Sequence, residues 1–138
     1  MVGCESGEIS VVDIQKGKVT KILKGQNLDN TYKVAIRNGI VTGAGQDRRG
    51  SHYTLATGSG AYIEGSFLIY ATALSPSGRL AAFAINEENE IAIYDLEKNQ
   101  QIALLKGQKS TLNTIIFLDE KRLFSASSDP MVMMWELK

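Results

Sequence analysis

The chain has 138 residues, enough to bury a core without disulfides or a structural metal, and its 43% hydrophobic and 22% charged residues are those of a folded protein rather than a disordered one. Its 15 Lys+Arg and 15 Asp+Glu cancel to a formal net charge of zero, which leaves no overall field to draw it to nucleic acid or anionic lipid. One cysteine, Cys4, excludes an intrachain disulfide, and one histidine, His52, excludes a multi-histidine metal site and most histidine-based catalysis.

In chain order the predicted elements are short β runs separated by turns, with no sustained helical periodicity. Ile9 to Asp13 comes first, followed by the turn Gln15-Lys16-Gly17 and the run Val19 to Lys24. The glycine-rich stretch Gly43 to Gly50 then leads into His52-Tyr53-Thr54. Beyond it, the turn Ser75-Pro76-Ser77-Gly78 precedes Leu80 to Ile85, and Ile91 to Asp95 is followed by the turn Glu97-Lys98-Asn99 and Gln101 to Leu105. The last strands are Leu112 to Leu118, Leu123 to Ser127 and Met131 to Leu137, with a turn at Asp119-Glu120-Lys121.

These runs repeat. Aligned on their final residues, Ile9 to Asp13, His52 to Thr54, Ile91 to Asp95 and Val132 to Glu136 end at 13, 54, 95 and 136, a step of 41 each time. The acidic residues of the preceding turns, Asp47, Glu88 and Asp129, share that step, and Lys24-Gly25-Gln26 returns two steps later as Lys106-Gly107-Gln108. One period reads as four antiparallel strands. Leu80 to Ile85 is apolar on both faces, so each small sheet must pack between two neighbours, and radial stacking around an axis achieves this.

Gly107-Gln108, the apolar positions Leu112, Ile115 and Phe117, the turn Ser125-Ala126-Ser127-Ser128-Asp129 and Trp135-Glu136 together resemble the WD40 repeat family. Tyr94-Asp95 and Val12-Asp13 are similar in the third and first copies, and the second keeps only Gly43 to Asp47. The resemblance covers the whole chain and implies an all-β fold of WD40-type β-propeller blades, each of four antiparallel strands, in an incomplete ring. The division is 1–29 (partial blade), 30–70, 71–111 and 112–138 (partial blade), within one domain. Many blades of that family hold a buried network of His, Ser or Thr, Asp and Trp. Here the resemblance implies Ser127, Asp129 and Trp135 as its members, with Gln108 at the histidine position after Gly107.

Three and a half blades are too few for a closed ring of about four to eight. The expectation is a C-terminal part of a larger propeller, whose first partner is its remaining blades. The alternative is a second copy, with the last three strands of one chain taking Val19 to Lys24 of another to close six blades.

The candidate sites are mostly structural in character. Gly45 to Ser51 has the outer spacing of a phosphate loop without its lysine, and Glu87-Glu88-Asn89-Glu90 lacks the alternation of a calcium loop. No cofactor or metal is expected. If the blades stack, Arg48-Arg49, Glu87-Glu88 and Asp129-Pro130 share one rim of basic, acidic and neutral turns, the best candidate for binding a protein partner. The expected function is a non-enzymatic protein-interaction scaffold; the alternative is a propeller enzyme or ligand-binding protein whose site other blades complete. No apolar run approaches the roughly 18 residues of a membrane span. The expected location is the cytoplasm, with the periplasm or another exported location open if an upstream signal is removed.

Overall fold

The computed structural model describes residues 1–138, which form fourteen strands and no helix. No helix is therefore long and apolar enough to cross a membrane. The strands make four sheets, all antiparallel. Sheet 1 contains β1 (Val2–Gly3), β2 (Ile9–Asp13) and β3 (Lys18–Leu23); sheet 2 contains β4 (Thr31–Arg37), β5 (Ile40–Gly45), β6 (Arg49–Thr54) and β7 (Gly60–Glu64). Sheet 3 contains β8 (Thr72–Leu74), β9 (Leu80–Ala84), β10 (Ile91–Asp95) and β11 (Gln100–Leu105); sheet 4 contains β12 (Leu112–Phe117), β13 (Arg122–Ser127) and β14 (Val132–Glu136). Within each sheet the strands lie in chain order, because turns this short can join only adjacent antiparallel strands.

The first strands β4, β8 and β12 lie beside one another in that order, and β1 approaches β4. The sheets thus stack face to face, and the result is an incomplete β-propeller, as the repeat implied. Strand β3 is the outer edge of sheet 1 and pairs with β2, Ile9 opposite Leu23 and Asp13 opposite Lys18.

Three apolar cores sit between successive sheets. Ile9 and Leu23 of sheet 1 meet Val41 and Tyr53 of sheet 2. Ala44 of sheet 2 meets Leu74, Ala81 and Phe83 of sheet 3, with Ile69 from the connecting loop. Ala73, Ala82, Ala84, Ile91 and Ile93 of sheet 3 meet Leu112, Ile115, Phe117 and Leu123 of sheet 4. Strand β9 shows why its residues are apolar throughout: Ala81 and Phe83 point to sheet 2, Ala82 and Ala84 to sheet 4, as the two-residue period of a strand requires. Phe83 is fully buried against a place where only glycine fits, since a Cβ on Gly50 would lie 2.5 Å from the ring's Cδ1.

Candidate functional site

The turns between second and third strands, and the loops entering each sheet, gather at one end of the stack. Two of these loops are locked by buried polar groups, each in a different way. In sheet 4, Gln108 is 3% exposed and accepts a hydrogen bond at Oε1 from Ser125 Oγ (2.7 Å), while its Nε2 donates to Ser127 Oγ (2.8 Å). Trp135 Nε1 donates to the same Ser125 hydroxyl at 2.8 Å. An amide both donates and accepts, so glutamine links the entering loop to two serines and, through one of them, to the indole.

This corrects the set carried over from the WD40 resemblance. Ser125 is the centre of the network, and Asp129 touches it only through its backbone N–H, which donates to Ser127 Oγ at 3.4 Å. The Asp129 carboxylate accepts from the Met131 backbone N–H at 3.0 Å, which closes its own turn. Gly107, with φ 143°, lets the chain pass over the ends of the Met133 and Trp135 side chains.

In sheet 2 the carboxylate takes over. Asp47 Oδ1 accepts from Asn27 Nδ2 (3.1 Å) and from the Arg49 N–H (3.1 Å), and Oδ2 accepts from the Leu28 N–H (2.7 Å). Asn27 Nδ2 also donates to the Arg49 carbonyl at 3.0 Å, and the Tyr53 hydroxyl accepts from the Gln26 N–H at 3.2 Å. The buried amide is therefore Asn27 and not Gln26, whose spacing matches Gln108. Sequence reasoning missed Asn27 and Ser125. The signal for Asn27 was Asp47, which lies six residues before Tyr53 as Asp129 does before Trp135.

The rim residues separate into used and free groups. Arg49 is committed to the fold: its Nη1 donates to the Gln26 carbonyl at 3.1 Å, and its guanidinium lies 4.0 Å over the Tyr62 ring. Arg48 is exposed, in the left-handed region at φ 63°. Glu87, Glu88 and Pro130 are exposed, and Asp129 is half-buried. Glu90 pairs instead with Lys106 (2.9 Å) and accepts from Asn86 Nδ2, interactions that hold its carboxyl below the usual range.

Beside these turns lies a groove of about 400 Å³ that sequence reasoning did not foresee. Phe67, Tyr70, Asn86, Glu87, Lys109 and Ser128 are among the residues that line it, drawn from the loops of three sheets. Tyr70 stacks on Tyr32 with ring centroids 5.1 Å apart, extending an aromatic surface from the groove. Of the rim residues proposed from sequence, only Glu87 reaches this groove; Arg48 borders a separate hollow with Asp47 and Glu64.

His52 is remote from both, on β6 between sheets 2 and 3. Its Nε2 is buried without a hydrogen-bond partner, and burial holds the imidazole below its ordinary value of 6.5. Nearby, Asp95 is engaged by Arg79, which donates from Nη2 at 2.8 Å and from Nε at 3.1 Å.

Fold and site together define an incomplete β-propeller whose loop rim carries an open groove. No family model matches the chain. It is similar to the CCR4-associated factor 4 homolog of Candida glabrata, with 32% identity over 71 residues. The match covers 49% of this chain and 12% of that protein, so it spans a small part of the relative's length.

Proposed function

We propose that this chain is a WD40-type, non-enzymatic scaffold that binds a protein partner through the groove between its second, third and fourth sheets. The observation that carries the reading is the groove itself, where exposed charge of both signs, Glu87 and Lys109, flanks the aromatic and apolar side chains of Tyr70 and Phe67. An extended peptide is matched by such a lining: apolar surface supplies contact, and the two charges set its direction. The candidate acids and bases elsewhere are largely spent on one another, as Asp95 is with Arg79 and Glu90 with Lys106, which favours binding over chemistry. Similarity over about half the chain to a factor named for its association with CCR4 agrees with that role.

Selection of a random peptide library against the immobilised chain tests the reading. Peptides enriched on the unaltered protein should be lost on Tyr70→Ala/Lys109→Glu and retained on Arg49→Lys, which leaves the groove alone. Failure to enrich any peptide, or equal enrichment on the groove variant, overturns it.

A further inference from the structure

The residues that line the groove differ in what they leave unspent. Phe67 and Tyr70 come from the loop entering sheet 3, and Asn86, Glu87 and Asn89 from the turn between β9 and β10. Asn86 is fully used within the chain: its Nδ2 donates to Glu90 Oε2 (2.6 Å) and its Oδ1 accepts from the Glu90 N–H (3.1 Å). Glu90 is used as well, by Lys106. Glu87 is the exception. It is exposed, and its carboxylate makes no ion pair or hydrogen bond within the chain.

Beside that carboxylate, the ring of Tyr70 is held in place. Tyr32 stacks on one of its faces with 17° between the planes, and the Tyr32 hydroxyl donates to Gln46 Oε1 at 3.0 Å, which anchors the backing ring. Desolvation, then the neighbouring Tyr70 and Asp29 groups, hold the Tyr32 phenol above its ordinary range, so the negative charge of Asp29 reaches the stacked pair. Asp29 and Glu88 are likewise exposed carboxylates without an ion pair.

A fixed aromatic ring with a free carboxylate next to it is complementary to one side chain above the others. A guanidinium is planar, lies against an aromatic face and donates two parallel hydrogen bonds to a carboxylate; an ammonium is a compact, strongly hydrated point charge. The rim of sheet 2 already contains a contact of this kind, with the Arg49 guanidinium 4.0 Å over the Tyr62 ring. We infer that the peptide bound in this groove, on the reading given above, carries an arginine whose guanidinium lies against Tyr70 and pairs with Glu87. Lys109 is the one cation among the lining residues, and it repels that arginine from its own part of the groove. The peptide is thereby held in one direction.

The groove-dependent peptides recovered from the random library are the probe. On the unaltered chain, arginine should be enriched over lysine at one fixed position. In the tightest of these peptides, replacing that arginine by citrulline, which keeps the shape and removes the charge, should weaken binding about tenfold. On Glu87→Gln the arginine and citrulline peptides should bind within about twofold of each other, because the partner of the charge is gone. Selection on Glu87→Lys should move the preference at that position to aspartate or glutamate, a gain that a misfolded variant cannot produce. Groove-dependent peptides without an arginine preference, or an arginine preference that survives Glu87→Lys, overturn the inference and leave the scaffold reading standing. A library from which nothing is enriched overturns both.

Discussion

Sheets 3 and 4 are copies of one 41-residue unit, yet they hold together by different means. Sheet 3 is dry. Ala81, Ala82, Phe83, Ile91, Ala92 and Ile93 are all 0% exposed, and both faces are covered by other sheets. Sheet 4 has one covered face, and on it a glutamine, two serines and a tryptophan replace part of that apolar packing. In sheet 3, a repeat with neighbours on both sides, apolar burial is the main contribution, at about 25 cal/mol per Å². One with a single neighbour gains less from burial, so a polar lock that positions its entering loop becomes a larger share of its stability.

The strongest way to break the comparison is to weaken the dry core. Phe83→Ala should cost about 3–5 kcal/mol, because the ring fills the space above Gly50 and the surrounding sheets cannot collapse into the void. Urea unfolding measures it; a loss no greater than that of an exposed-site variant would refute the view that this packing dominates sheet 3. Next in size, Gln108→Leu should cost about 1–3 kcal/mol by leaving the Ser125 and Ser127 hydroxyls without their amide partner. A double-mutant cycle with Ser125→Ala should show coupling, and additive losses would mean that the hydrogen bonds are geometrically present but energetically idle.

A finer test compares two aspartates at one repeat position. Asp47→Ala removes the acceptor for Asn27, Leu28 and Arg49 and should cost about 1–3 kcal/mol. Asp129→Ala removes one turn hydrogen bond and should cost about 0.5 kcal/mol. Equal thermal shifts for the two would erase the distinction between sheet 2 and sheet 4.

The smallest effects are those of pH. His52 titrates below its ordinary 6.5 when folded, so the unfolded chain binds the proton more readily. Its contribution to stability is intact above about pH 6.5 and is lost as pH falls toward the folded value. Asp95 follows the same sign at lower pH: the Arg79 hydrogen bonds, with smaller help from the Lys98 and Glu97 N–H groups, hold its carboxyl below the ordinary 3.8. Its share is present above that value and is lost in stronger acid. In a His52→Gln variant the first of these two declines should vanish while the second remains.

Much of this was legible in the residues. The 41-residue step follows from a backbone requirement, since each sheet needs its turns and its apolar alternation at fixed intervals, and Ala81 to Ala84 declared a strand covered on both faces. The roles of polar residues at equivalent positions were not legible. Gln26 and Gln108 share a spacing, but the buried amide of sheet 2 is Asn27, because the choice between adjacent residues depends on which side chain the turn directs inward. Arg48 and Arg49 look alike in sequence, and only the three-dimensional arrangement places Tyr62 under one of them.

What the sequence determined by itself, then, was the repeat, the strands and the all-β class, all of which rest on local propensity and two-residue periodicity. Tertiary structure alone decided which polar groups lock a loop and where three loops leave a groove. Those features depend on the distance between residues tens of positions apart, and that distance exists only once the sheets have stacked.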